Sequence, residues 1–333
     1  MTLVFDDNNG QEQIEETESR DFIIRTWKLA KEFNGAYAVR NVTFDLPRGK
    51  IFGFIGPSGS GKTTTIRMLT GFYEPSAGDL LVFDRQPMKF TKSMRARIGY
   101  MPQLFVLYPN LSVMENLNFA ASIYGMSYAR GKQMKEVLDF VELSGHQDKL
   151  AREISGGMQR RLSLAATLVH DPELVFLDEP TAGVDPVLRQ KFWDHFRELK
   201  EAGVTLFITT QYVSEAVYCD LVGVIDEGVL IDVDTPEGLR QKAYGGDMVD
   251  LRTAEPLTYQ VISKFAELPF VKKSPVRTGD KSVRLTVSDA GTDIAKIVNW
   301  CQAKGVRIQS VDEFSPPFDE VFVKLVAGEG KNE

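Results

Sequence analysis

The stretch Gly56-Pro57-Ser58-Gly59-Ser60-Gly61-Lys62-Thr63 has the form G-x-x-x-x-G-K-[ST] and directly follows the apolar run Ile51-Phe52-Gly53-Phe54-Ile55. A helical pattern, 64–69, comes next. Between a strand and a helix, such glycines let backbone N–H groups curl around anionic oxygens, and the helix turns its positive end toward them. Lys62 then brings a charge between the β- and γ-phosphates of a nucleotide, and the Thr63 hydroxyl is a ligand for Mg²⁺. The spacing predicts a nucleotide site built from Gly56, Pro57, Ser58, Gly59, Ser60, Gly61, Lys62, Thr63 and Thr64.

Three more short apolar runs occur, Leu174-Val175-Phe176-Leu177, Val204-Thr205-Leu206-Phe207-Ile208 and Leu221-Val222-Gly223-Val224-Ile225. They are too continuous for half-exposed strands and read as buried strands of a parallel sheet. Between them lie helical patterns: Met134, Val137, Leu138 and Val141 are spaced to give one apolar stripe. Strands alternating with helices predict an α/β layered domain. The pattern changes near Tyr244-Gly245-Gly246. Beyond it the expected order is strand (248–252), helix (257–268), two strands (270–277 and 282–288), helix (292–304) and strand (306–311). That βαββαβ order predicts a small ferredoxin-like α+β unit over 245–328.

The run ending at Leu177 is followed by Asp178 and Glu179. Ligands of α/β sheets bind outside the carboxyl ends of the strands, so two acids at such a tip are well placed for chemistry. Asp178 is suited to holding Mg²⁺ through its water shell. Glu179 points elsewhere and is free to orient and deprotonate an attacking water. The bland alternative is a solvated turn acid before Pro180, and the phosphate loop weighs against it.

Ile154-Ser155-Gly156-Gly157-Met158-Gln159-Arg160-Arg161 stands about twenty residues before that strand. Ser155, Gly156 and Gly157 open a helix expected over 160–168, so a hydroxyl, bare N–H groups and a helix dipole can approach an anion. With this segment the sequence resembles the nucleotide-binding domain of ABC transporters, whose signature reads LSGGQ. The match runs from about Phe22 to about Leu239, roughly two thirds of the chain. The resemblance implies a P-loop NTPase of ABC ATPase type over 21–244, with a RecA-like core, an antiparallel β subdomain and a helical subdomain over about 104–156. It implies ATP and Mg²⁺ as ligands and ATP hydrolysis as the activity. It also implies that Ser155, Gly156 and Gly157 close on the ATP of a second ATPase subunit in a head-to-tail dimer. In the same family pattern Gln103 contacts Mg²⁺ and senses a membrane partner, and Asp185 lies in the loop joining the two sites. Phe33 falls where an aromatic ring stacks on adenine, an ordinary core aromatic being the alternative.

Two departures from the family pattern stand out. Ile154 and Met158 replace Leu and Gln of the signature around an intact Ser-Gly-Gly core. Gln211, in Thr209-Thr210-Gln211-Tyr212, stands where most members carry a switch histidine. An amide can donate a hydrogen bond to a γ-phosphate but cannot shuttle a proton, so catalysis is expected to lean on Glu179, with Lys62 and Gln211 assisting. The segment 107–117, the Thr-Thr-Gln-Tyr wording and Phe318-Asp319-Glu320-Val321-Phe322 resemble the branch that includes daunorubicin-type drug and lipid exporters. The Gly-Pro-Ser-Gly-Ser-Gly wording is also common in importers, and an importer subunit or a soluble ABC ATPase acting on nucleic acid or ribosomes stays as the alternative.

The composition is that of a globular protein: 333 residues, 43% hydrophobic and 26% charged, enough for one large domain and a smaller one. Cys219 and Cys301 lack the spacing of a zinc or redox site. No stretch reaches the roughly 18 apolar residues of a membrane span, and the start of the chain is acidic where a signal peptide is basic and then apolar. The expectation is a cytoplasmic protein, peripheral on a membrane through a separate multi-spanning permease. The net charge of -7 is concentrated in an acidic arm, 1–20, expected to be solvated, and 329–333 is expected as a tail. The rest is close to neutral, which gives no electrostatic case for nucleic acid. Complete motifs favour a homodimer.

Overall fold

The computed structural model describes residues 22–104, 107–127 and 130–329; the expected acidic arm and residues 330–333 of the expected tail lie outside them. The first nine strands are β1 (Phe22–Phe33), β2 (Ala36–Pro47), β3 (Ile51–Ile55), β4 (Ala77–Val82), β5 (Ile98–Met101), β6 (Leu174–Asp178), β7 (Thr205–Thr210), β8 (Leu221–Asp226) and β9 (Val229–Asp234). They form one sheet in the order β4-β1-β2-β9-β8-β3-β7-β6-β5. The pairs between β5, β6, β7, β3 and β8 are all parallel. The β1–β2, β1–β4 and β8–β9 pairs are antiparallel. The two parts meet at a single parallel pair, Asn41 with Val229.

The apolar runs of the sequence are the central strands, and every residue of β3, β6 and β7 is buried. Side chains alternate across a strand, so burial of the whole run requires cover on both faces. On one face Phe44, Phe52, Phe54, Phe176 and Phe207 form an aromatic layer, with Phe44 stacked on Phe52 at 5.0 Å between centroids. Ile66 and Leu69 of helix α1 (Lys62–Leu69) complete that core. The intervening residues Ile51, Ile55, Val175, Leu177, Leu206 and Ile208 face the other core. A short α2 (Lys92–Arg95) leads into β5. Then come α3 (Val113–Ile123), α4 (Gly131–Phe140), α5 (Gly156–Leu168), α6 (Pro186–Glu201) and α7 (Pro236–Tyr244). The start of α3 is fixed by a reciprocal cap, Ser112 accepting from the Glu115 N–H and Glu115 from the Ser112 N–H. Of the expected α5, the structure begins the helix at Gly156 rather than Arg160, because the Ser155 hydroxyl caps it by accepting from the Met158 N–H.

After α7 the chain forms β10 (Asp247–Thr253), α8 (Tyr259–Ala266), β11 (Val276–Gly279), β12 (Ser282–Val287), α9 (Ala290–Ala303) and β13 (Ile308–Phe314). Their sheet has the order β11-β12-β10-β13 with antiparallel pairs throughout, and its own core includes Val249, Leu251, Phe265, Leu285, Ile297 and Cys301. The strand expected over 270–277 starts only at Val276. Pro269 and Pro275 flank the missing part and cannot donate to a ladder, so Val271 makes an isolated bridge to Val287 instead.

The last helix, α10 (Phe318–Glu329), does not stay with that second unit. Its Phe318 and Val321, 2% and 0% exposed, enter the core that also holds Ala216, Cys219, Leu239 and Tyr244. The Tyr244 hydroxyl donates to Glu320 at 3.1 Å, and Arg240 donates to the Pro316 carbonyl at 3.3 Å. A division at 244/245 therefore separates the two sheets but not the last helix from the first. Truncating a buried Phe costs about 3–5 kcal/mol. Phe318→Ala is expected to lower the urea midpoint of the first unit accordingly; a change under about 0.5 kcal/mol would show that α10 is not part of that core.

Candidate active site

The loop 56–63 leaves β3 and enters α1 with two glycines that no other residue can replace. A Cβ on Gly56 would lie 2.0 Å from the Ile225 carbonyl oxygen. Gly61, the residue before α1, has φ +102°, and a Cβ there would lie 2.5 Å from the Ala38 oxygen. Pro57, Ser58 and Gly59 form the exposed tip, while Ser60 is buried with its hydroxyl unpartnered among the described residues. Lys62 is 4% exposed, and its ammonium donates to the Gly56 and Pro57 carbonyls at 2.8 Å each. Burial pushes its pKa down, and the carboxylates of Glu179 and Asp178 oppose that shift.

Those carboxylates stand at the tip of β6. Asp178 is 1% exposed; it accepts from the Thr63 hydroxyl at 2.9 Å and from the Thr209 hydroxyl at 2.6 Å. Glu179 has φ +49°, a left-handed conformation that costs a non-glycine residue about 1–3 kcal/mol and concentrates at functional sites. Its N–H is held by the carbonyl and the hydroxyl of Thr209 at 3.1 and 3.0 Å. Its side chain accepts from the Gln103 amide at 2.9 Å and lies 3.6 Å from the Lys62 ammonium. Five expected residues, Lys62, Thr63, Gln103, Asp178 and Glu179, are thus brought together.

The sequence pattern of the ABC transporter family matches residues 39–182. Nod factor export ATP-binding protein I of Burkholderia lata is 37% identical over 242 residues, which span 72% of this chain and 80% of that protein. The chain belongs to the ABC transporter family. Linearmycin resistance ATP-binding protein LnrL of Bacillus subtilis is 29% identical over 305 residues, 91% of this chain and 98% of its own length. The probable multidrug ABC transporter ATP-binding protein YbhF of Escherichia coli is 37% identical over 229 residues, and the chain spans only 40% of that longer relative. Among solved structures, an ATP-binding subunit of an ABC transporter superposes with a TM-score of 0.60 at 25% identity, covering 66% of this chain and 92% of its own. The ATP-binding cassette MJ1267 in its ADP conformation gives 0.59 at 26% identity, covering 64% and 91%.

The remaining positions of the ABC pattern are Ser155, Gly156, Gly157, Asp185, Gln211 and Phe33; of these, Gln211 follows Thr210, whose carbonyl accepts from the Gly56 N–H at 3.3 Å. Ser155 and Gly156 are exposed at the start of α5, and among the described residues they make no hydrogen bond to residues 56–63. Asp185 caps α6, accepting from the Val187 and Leu188 N–H groups at 3.0 Å. Gln211 is exposed just beyond β7. Phe33 is 39% exposed at the end of β1, edge-on to Tyr73 at 5.2 Å, so it is a surface ring and not a core one.

Two residues outside the expected set organise the centre. Thr209 holds both Asp178 and the Glu179 backbone. Arg160, 4% exposed, donates to the carbonyls of Pro180 at 2.6 Å, Gln103 at 2.8 Å and Glu179. One guanidinium on the signature helix therefore fixes the backbones that carry Gln103 and Glu179. A signal was present: Arg160, Leu164 and Leu168 share one helix face, and an arginine on an apolar stripe has a partner to find.

The donor set fits a hard divalent cation. Thr63, Gln103 and Asp178 offer oxygens, and the buried Asp178 carboxylate is hydrogen-bonded to two hydroxyls and to no cationic group among the described residues. Charge-assisted hydrogen bonds contribute about 1.5–3 kcal/mol. Lys62→Ala is therefore expected to weaken ATP binding about tenfold or more in a fluorescent-nucleotide titration; unchanged affinity would remove the loop from the nucleotide site.

Proposed function

We propose that this chain is the ATP-binding and ATP-hydrolysing subunit of an ABC exporter, acting as a head-to-tail homodimer on a separate membrane permease. The observation that carries the hydrolytic part is Glu179, a carboxylate held between the Gln103 amide and the Lys62 ammonium beside a phosphate-binding loop. The Gly56–Thr64 backbone and Lys62 bind the phosphates of ATP, and Phe33 stacks on adenine. Thr63, Gln103 and Asp178 hold Mg²⁺, which when bound neutralises charge on the phosphates. Glu179 takes the proton of the attacking water; the Gln103 amide on one of its oxygens and the Lys62 ammonium beside the other fix the carboxylate for that task. Gln211 donates a hydrogen bond to the γ-phosphate without moving a proton. Ser155, Gly156 and Gly157 offer their hydroxyl and N–H groups to the γ-phosphate bound by a second subunit, and Asp185 lies at the junction.

The permease assignment is supported by a groove of about 870 Å³ that includes Phe72, Tyr73, Tyr108, Phe119 and Ile123. Phe72 and Ile123 are 70% and 62% exposed there, an apolar surface that suits a partner. Gln103 directly follows Pro102 of the groove lining. Among the described residues no helix is long and apolar enough to cross a membrane. A peripheral position on the cytoplasmic face, through that groove, follows from the reading. Export is supported by the names of the relatives, two of which concern Nod factor export and linearmycin resistance. The second unit is read as a ferredoxin-like domain; the β11-β12-β10-β13 order with two helices between its strands supports this.

Glu179→Gln keeps the shape of the side chain and removes the base. ATP turnover is expected to fall about 10²–10⁴-fold while ATP affinity and melting stay near the parent values. An ATP-dependent dimer should then accumulate in gel filtration. Normal turnover would refute the base assignment, and lost folding would return Glu179 to a structural role.

A further inference from the structure

Two charged residues without a part in the chemistry above form a link across the site. Helix α6 is capped by Asp185, and one turn on the Arg189 N–H donates to the Asp185 carbonyl at 2.9 Å, so both ride on the same rigid turn. The Arg189 side chain leaves α6 toward the segment that follows β7. Its guanidinium lies 4.6 Å from the centre of the Tyr212 ring, and its Nε lies 3.6 Å from a carboxylate oxygen of Glu215. Tyr212 is the neighbour of Gln211. Glu215 sits in the 3-10 turn Val213–Tyr218, and its N–H donates back to the Tyr212 carbonyl at 3.0 Å.

Glu215 is 1% exposed, yet neither of its carboxylate oxygens has a hydrogen bond among the described residues, and neither does the Arg189 Nε. A buried carboxylate short of donors is unfavourable, and one kept in that condition calls for a reason. The turn that carries it is anchored from behind, since Ala216 and Cys219 pack in the same core as Phe318 and Val321 of α10. Arg189 holds it in front. The exposed Gln211 is the end left free to move.

We propose that Arg189 is a positioning residue that transmits the placement of the Asp185 loop to Gln211 through Glu215 and Tyr212. The proposal rests on the roles given above to Asp185 at the dimer junction and Gln211 at the γ-phosphate. When a second subunit engages Asp185, the first turn of α6 shifts and the 3.6 Å approach of Arg189 to Glu215 closes into a hydrogen-bonded ion pair. Tyr212, stacked on the same guanidinium, carries Gln211 toward the nucleotide. Arginine suits the task because its planar fork can stack and bond at once, which lysine cannot do.

The test is a double-mutant cycle on the full chain, reading steady-state ATP turnover, nucleotide affinity and melting together. Arg189→Gln and Gln211→Ala should each slow turnover by about tenfold with ATP affinity unchanged, and the double variant should be no slower than Gln211→Ala alone. Glu215→Gln should slow turnover while its melting temperature holds or rises, because it removes an unsatisfied buried charge. A merely structural ion pair would instead lower turnover and melting together. Should Arg189→Gln not fold, Arg189→Lys enters the same cycle with the same expectation. If Gln211→Ala slows turnover but the Arg189 loss adds to it in full, the switch role stands and the link is overturned. If Gln211→Ala has no effect, the switch role fails and the link falls with it. Normal turnover in both Arg189→Gln and Glu215→Gln would also overturn the link.

Discussion

The buried ammonium of Lys62 is the constraint around which the rest of the site is arranged. At 4% exposure it is removed from most water, and two carbonyls of its own loop and the Glu179 carboxylate compensate it. That compensation requires the loop to double back, which only glycine at positions 56 and 61 permits. It also requires Glu179 to leave the strand direction just after Asp178, hence the left-handed backbone at that one residue. The parallel sheet makes this possible. Both of its faces are filled by side chains, so the carboxyl ends of β3, β6 and β7 are where polar groups can gather without breaking a core.

A strained residue persists only where its surroundings over-determine it. Glu179 is held at its N–H by Thr209 and at its carbonyl by Arg160, from two different elements, β7 and α5. Because Arg160 also grips the Gln103 carbonyl, movement of α5 is felt at once by the backbone of the amide and by that of the carboxylate it touches. The second element matters as much: Thr209 bonds Asp178 through its side chain, so the two adjacent acids share one threonine. The backbone that carries the carboxylate pair is therefore set by one threonine and one arginine, while the Lys62 ammonium faces the Glu179 side chain.

The parts of the site that were legible in the sequence are those that end an uninterrupted apolar run. Gly56 to Thr63 after β3, and Asp178 and Glu179 at the end of β6, break runs in which polar residues are otherwise absent, and so they are visible without coordinates. Gln103 was placed by resemblance, and the structure seats it on Glu179. The antiparallel strands β1, β2 and β4 were legible only through resemblance. β1 changes register repeatedly against β2, and Lys28 within it takes φ +46°, so its in-and-out alternation is scrambled. Arg160 and Thr209 are less legible, because Arg160 acts on backbone carbonyls of distant segments and Thr209 on two residues of another strand end. The return of α10 to the first unit is not legible either: nothing local in residues 318–329 says which core its apolar residues join, and they pack in the first.

That return has a consequence for how the protein is made. Helix α10 supplies Phe318 and Val321 to a core whose other fully buried members all precede Gly245, with an entire second unit between them. On a ribosome, which adds about 5–20 residues per second and lets domains fold as they emerge, the first unit must wait seconds for its last wall. During that interval the pocket lined by Ala216, Leu239 and Tyr244 is an apolar surface open to chaperones. A nascent chain stopped between Gly245 and Phe318 would present the nucleotide loop complete and the core behind its switch segment unsealed, so loss of the final helix is a defect that quality control can recognise from the first unit alone.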